Sequence, residues 1–274
     1  MTHERIYLNS EDERVYIDAY IASEDKRPAL LVIPGGAYAR VCADREGDPI
    51  AERFLDLGYN AFVLNYRCGS SFDRYPKQLF DAAGAMIYIR ENAERLSVDK
   101  NRVFAAGFSA GGHLAGSLAT MLDYPEVKAA FGDKTRLARP TGVALAYPVI
   151  RAYVRTNRDP FRNLLGKNPE ELSEDEKAKF SIESALSENS SPFFVWHTRE
   201  DTAVPLCGTF ALAEAAYEKG VNFKLAIYPY GPHGVALANK VTECGRAAWV
   251  QPLAEGWVEE ARDFFASLPS DKFD

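Results

Sequence analysis

Residues 107 to 111 read Gly-Phe-Ser-Ala-Gly, and this short run constrains the chain more than any other. Directly before it stands Val103-Phe-Ala-Ala106, an apolar stretch of strand type, and directly after it begins a stretch rich in Ala and Leu that suits a helix. A serine on a tight strand-to-helix turn has a strained backbone, and a side chain two positions before or after it would collide with the neighbouring strand or helix. Glycines at 107 and 111 remove that obstacle and expose the Ser109 hydroxyl. The plainer alternative is a glycine-rich helix start, and a phosphate-binding loop is disfavoured because its lysine is missing.

The rest of the chain supplies the setting such a turn requires. Ala29-Leu-Leu-Val-Ile33, Ala61-Phe-Val-Leu64, Arg102 to Ala106, Val143-Ala-Leu-Ala-Tyr147, Phe193-Phe-Val-Trp196 and Phe223-Lys-Leu-Ala-Ile-Tyr228 are short, largely continuous apolar runs, as buried strands are. Between most of them lie helical stretches at about 48 to 57, 76 to 96, 110 to 122 and 205 to 219. A last helix is expected at about 246 to 267, with Trp249, Leu253, Trp257, Val258, Ala261 and Phe265 at core spacing. Residues 5 to 8 and 14 to 22 alternate like half-solvated strands and predict an antiparallel edge. The fold class is therefore α/β: a mostly parallel, twisted central sheet with helices on both faces. One domain over residues 1–274 is expected. At about 149–190 the alternation gives way to a charged insertion, read as a small cap because it leaves a strand end where open α/β sheets bind ligands.

Composition narrows the partners. The formal net charge is −7, which repels nucleic acid and anionic membrane surfaces and favours a small ligand. No run approaches the roughly 20 apolar residues of a membrane span, and Met-Thr-His-Glu-Arg-Ile-Tyr lacks the apolar stretch of a secretory signal. A cytoplasmic location is expected if the chain begins at its natural start. Cys42, Cys68, Cys207 and Cys244 show neither zinc-site spacing nor disulfide density and read as reduced thiols. Exposed helices or the edge strand leave room for a homo-oligomer.

A serine hydroxyl needs a base to become nucleophilic, and the base needs a third group to fix its tautomer. Of the four histidines, His233 lies in a loop just after the last predicted strand. His3 sits near the terminus, while His113 and His197 read as hydrogen-bonded residues beside the site. Asp201 follows the strand ending at Trp196 and precedes His233 with room for one helix and one strand, so Ser109, Asp201 and His233 fall in nucleophile, acid, base order. Glu200 is the alternative acid, and a helix cap the plainer role for Asp201. For the oxyanion of a tetrahedral intermediate, the N–H after the nucleophile, that of Ala110, joins donors from Pro34-Gly-Gly-Ala-Tyr38, with Gly36 and Ala37 the candidates. Tyr38, Tyr147 and Tyr230 are candidates for pocket lining.

These segments, with Asp44-Arg-Glu, Gly58-Tyr-Asn-Ala-Phe-Val-Leu-Asn-Tyr-Arg67, Gly107-Phe-Ser-Ala-Gly-Gly-His113 and Gly231-Pro-His-Gly234, resemble the bacterial α/β-hydrolase esterases of the acetyl-xylan-esterase-like and feruloyl-esterase-like branch, near the hormone-sensitive-lipase group. The resemblance covers Leu30 to about residue 240. It implies an α/β-hydrolase fold, a Ser109–Asp201–His233 triad, an oxyanion hole at Gly36, Ala37 and Ala110, and a serine carboxylesterase acting on short-chain acyl esters. Acetylated carbohydrate, oligosaccharide included, is the implied substrate, with no cofactor and no metal. Pro34-Gly-Gly-Ala37 stands where the lipase-like relatives carry His-Gly-Gly-Gly, which keeps N–H donors but leaves open which one contributes. Two rivals remain: a serine peptidase of the oligopeptidase kind, which usually carries a large additional domain, and a non-catalytic binding protein, which typically lacks a triad member.

Overall fold

The computed structural model describes residues 2–22, 24–152 and 158–273. Among these, eight strands build one sheet: β1 (Thr2–Tyr7), β2 (Tyr16–Ile21), β3 (Arg27–Ile33), β4 (Asn60–Asn65), β5 (Val98–Phe108), β6 (Val143–Ala146), β7 (Phe193–Thr198) and β8 (Phe223–Tyr228). Their spatial order is β1-β2-β4-β3-β5-β6-β7-β8. β1 and β2 form the antiparallel edge, and every pairing from β4 to β8 is parallel. This is the α/β-hydrolase fold.

Strand alternation splits the apolar side chains between two cores. Leu31 and Ile33 of β3 face one core, together with Leu145 of β6 and Val195 of β7. That core is closed by α2 (Lys77–Glu91), α3 (Ala110–Thr120) and α4 (Cys207–Lys219) through Met86, Leu114, Leu118 and Leu212. Leu30, Val32, Phe104, Phe108 and Trp196 face the other, closed by α1 (Asp48–Asp56) and α5 (Trp257–Ser267) through Phe54, Trp257 and Phe265. Every residue of α3 is buried, which its run of Ala, Gly and Ser permits because small side chains let a helix lie close to a sheet.

Two expectations need correction. The run 223 to 228 was expected to be a buried strand, but β8 is the far edge of the sheet and all its residues except Tyr228 are half-buried. The last helix starts at Trp257, not near 246: Pro252 has no N–H to give a helix, and residues 246 to 256 instead form turns with a short 3-10 segment at Ala247–Trp249. Leu253 is consequently exposed, while Trp249 is buried as expected. The insertion holds helices at Arg158–Leu165, Glu174–Phe180 and Ile182–Ala185, and its Phe161, Leu172 and Phe180 form a small apolar cluster with Val149 and Val204. The part of the insertion at 153–157 lies outside the described residues.

Candidate active site

Six loops leave the C-terminal ends of parallel strands on one side of the sheet, the place where open α/β sheets assemble ligand sites. Ser109 directly follows β5 with φ 55° and ψ −116°, and its backbone is tied to the next strand by Ser109 N–H to Ala146 O at 3.0 Å. A Cβ on Gly107 would lie 2.2 Å from Gly111 O, and one on Gly111 would lie 2.1 Å from Ile33 O. Both glycines are thus required by backbone approach, which side-chain rearrangement cannot relieve.

The loop after β8 brings His233 to Ser109, and the loop after β7 brings Asp201 to His233. Ser109 Oγ and His233 Nε2 are 2.8 Å apart, and His233 Nδ1 and Asp201 Oδ2 are 2.6 Å apart. With Asp201 ionised, Nδ1–H donates to the carboxylate and Nε2 is left to accept from the serine hydroxyl. The carboxylate is held by three further contacts: Oδ1 accepts from Ala203 N–H at 2.8 Å and Val204 N–H at 2.9 Å, and Oδ2 also lies 3.0 Å from His197 Nε2, whose Nδ1 faces Thr209 Oγ1 at 2.8 Å. Burial opposes ionisation of Asp201, but the hydrogen bonds from His197 and His233 outweigh it and hold the carboxyl well below the usual carboxylate range.

Facing the serine is the turn after β3, in which Ala37 and Tyr38 have φ of 55° and 57°. The N–H groups of Gly36 and Ala37 find no acceptor among the described residues, and that of Ala110 is the first of α3, where a helix leaves its N–H groups unpaired. Gly36, Ala37, Ser109 and His233 line one cavity of about 320 Å³. Buried Glu46 braces the turn from below: Oε2 accepts from Gly35 N–H at 2.9 Å, and Oε1 accepts from Tyr147 Oη at 3.0 Å and from Arg45 Nη2 at 3.3 Å. Arg45 Nη1 in turn donates to Gly234 O at 2.8 Å, and Tyr147 Oη accepts from Ala236 N–H at 3.1 Å, so one carboxylate links the turn to the His233 loop. From the insertion, Asn163 Nδ2 donates to Ala37 O at 2.8 Å, and Pro160 reaches the cavity wall.

Comparison with known proteins places this geometry. The family model described as BD-FAE matches residues 16–216. The chain belongs to the BD-FAE family. Among curated relatives, endo-1,4-beta-xylanase B of Butyrivibrio fibrisolvens is 39% identical over 81% of this chain and 34% of its own length. Acetylxylan esterase of Xylanibacter ruminicola is 28% identical over 100% of this chain and 52% of its own length. The chain thus spans about a third to a half of these relatives. Among solved structures, the acetyl ester-xyloside bifunctional hydrolase of Caldicellulosiruptor lactoaceticus is 32% identical, with a TM-score of 0.77 over 94% of this chain and 96% of that one. The BD-FAE match contains Ser109, Asp201 and the Gly36–Ala37 turn and ends before His233, which the geometry alone supplies.

Other residues singled out from this BD-FAE chain fall differently. Tyr38 is buried, its hydroxyl 2.8 Å from His113 Nδ1, because His113 Nε2–H already donates to Phe180 O at 2.8 Å and leaves Nδ1 as acceptor. Tyr147 is also buried and stacks edge-on to His233 with ring centroids 5.0 Å apart, so it supports the imidazole and does not line the cavity. Tyr230 is exposed. Glu200 accepts from Gly231 N–H at 3.1 Å and so anchors the histidine loop without touching His233. His113 is bonded away from Ser109 as expected, whereas His197 reaches the Asp201 carboxylate itself. Glu46, Arg45 and Asn163 carried no functional reading from sequence, although Asp44-Arg-Glu was among the marks of likeness. Among the described residues, no group of three or more His, Cys, Asp or Glu could hold a metal ion, and no helix is long and apolar enough to cross a membrane.

Proposed function

We propose that this protein is a serine carboxylesterase that hydrolyses short-chain acyl esters, acetylated carbohydrate above all, through an acyl-enzyme. The observation that carries the reading is the continuous hydrogen-bonded line from Ser109 through His233 to Asp201, facing unpaired N–H groups across the cavity. Ser109 Oγ bonds to the ester carbonyl carbon as His233 Nε2 takes its proton. The carbonyl oxygen becomes an oxyanion, met by N–H groups of Gly36, Ala37 and Ala110. Collapse breaks the bond to the alcohol oxygen, which leaves with the proton from His233. Water then attacks the acyl-serine by the same route and releases the acid. A cavity of about 320 Å³ lies at the small end for ligand pockets, which favours a short acyl group. The carbohydrate half of the proposal draws on the names of the acetylxylan esterase and bifunctional hydrolase relatives. With all three groups in contact, no observation favours a non-catalytic cradle.

The test is hydrolysis of p-nitrophenyl acetate, butyrate and octanoate and of acetylated xylo-oligosaccharide by the folded wild type and Ser109→Ala. Wild type is expected to cleave the acetyl and butyryl esters best, and the variant to lose at least about a thousandfold in kcat. A wild type inert on every ester, or a variant that stays active, overturns the reading. A fluorophosphonate should also add its mass to Ser109 in wild type alone.

A further inference from the structure

Next to the cavity that holds Ser109 lies a larger one of about 610 Å³, lined by Arg40, Asp44, Arg45, His233, Arg246 and Trp249 among others. Arg40, Arg45 and His233 line both, so the two spaces meet at the imidazole. Ser109 lines the smaller cavity and not the larger. In the proposed reaction His233 must hand its proton to the departing alcohol, so the alcohol half of the ester lies against the imidazole. The space extending from His233 away from the serine is where that half continues.

The charge there runs against the rest of the molecule. The chain carries a net −7, yet three arginines and one aspartate line this cavity. The guanidinium carbons of Arg45 and Arg246 lie 4.1 and 4.3 Å from the centroid of the Trp249 ring. Arg45 has a carboxylate partner in Glu46, at 3.3 Å. Arg246 makes no ion pair among the described residues, and Arg40 has Cys42 and Asp44 beside it, too few acids to balance the three guanidinium groups. Two like charges on one aromatic ring, with a third nearby, are an arrangement that an anion between them would relieve, and a guanidinium fork suits a carboxylate. With Trp249 already occupied by guanidinium groups, its ring is a poor platform for a neutral sugar.

We propose that this cavity is a carboxylate subsite that selects an acidic sugar, a uronic acid, in the alcohol half of the ester, with Arg40 and Arg246 as its specificity-determining residues. The inference rests on the esterase reading for the orientation of the substrate, and binding tests it apart from catalysis. The probes are a xylo-oligosaccharide bearing one glucuronic acid branch and an uncharged one of equal size, titrated calorimetrically into Ser109→Ala. The acidic ligand is expected to bind about tenfold more tightly, the scale of one charge-assisted contact at a half-open site. Arg40→Ala with Arg246→Ala should erase the preference, Arg246→Lys should keep part of it, and raising the salt to 0.5 M should shrink it. Thermal melts establish that the variants are folded.

Equal affinity for the two ligands, or a preference that survives the double replacement, overturns the subsite. Wild-type hydrolysis of p-nitrophenyl acetate reads the esterase proposal separately. If that ester is cleaved and the ligands bind equally, only the subsite fails. If no ester is cleaved yet the acidic ligand is preferred through Arg40 and Arg246, the anion site stands and the esterase reading falls.

Discussion

One oxygen atom, Asp201 Oδ2, takes hydrogen bonds from two imidazoles, His233 at 2.6 Å and His197 at 3.0 Å. His197 touches neither Ser109 nor the cavity, so its influence must pass through the carboxylate it holds. His197→Gln is expected to lower kcat on p-nitrophenyl acetate about tenfold with KM little changed, as the loss of one hydrogen bond to a buried charged group would. An unchanged kcat in a folded variant would show that the two backbone donors and His233 suffice to fix Asp201. Ser109, Asp201 and His233, which meet in the structure, are legible as candidates in the sequence because each lies in a loop whose position follows from strand order. The contact with His197 was hidden because it depends on a turn, Asp201 N–H to Thr198 O at 3.3 Å, that folds the acid back over the end of β7. Tyr38 and Tyr147 were read as lining for a related reason: sequence shows an aromatic near a loop, and only packing shows that His113 and Glu46 take their hydroxyls inward.

Elements bear on the site through their junctions. Gly111 is the second residue of α3 and meets the carbonyls of Ile33 and Pro34 at the end of β3, so Gly111→Ala pushes a methyl group into backbone that cannot yield. A drop of at least about 2 kcal/mol in unfolding free energy is expected, from overpacking and a displaced elbow, and urea denaturation measures it. The helix Arg158–Leu165 acts more gently: Asn163 fixes the carbonyl of Ala37, so Asn163→Ala should cost about threefold to tenfold in kcat/KM on the acetyl ester, with stability nearly intact. A wild-type rate in that variant would separate the insertion from the function of the Gly36–Ala37 turn. The existence of these elements was legible from periodicity, but their ends were less so. The helix assigned from 246 kept its apolar spacing across Pro252, and β8 kept an apolar run although no strand covers its outer side.

For the molecule as a whole, the balance between buried neutral and buried charged groups sets how it tolerates acid. His113 is fully buried against Tyr38 and Phe180, and burial pushes its imidazole down to about 4, the bond to the Phe180 carbonyl acting weakly the other way. In the unfolded chain a histidine titrates near 6.5, so between about 6.5 and 4 the unfolded state binds the extra proton. Stability is therefore complete above about pH 6.5 and falls as the pH drops towards 4, by up to about 3 kcal/mol from this residue. Asp201 acts in the same sense at lower pH: its depressed carboxyl contributes stability above the unfolded value near 3.9, and this is lost as the pH falls below that. Urea midpoints for the wild type should decline from pH 7 to 5.5 to 4.5, before Asp201 matters. His113→Gln keeps a polar side chain but has no proton to gain, so it should be less stable at pH 7 and nearly flat across that window. Parallel curves for the two proteins would move the acid sensitivity to another group. A flat variant would tie it to the imidazole that joins the turn after β3, α3 and the insertion.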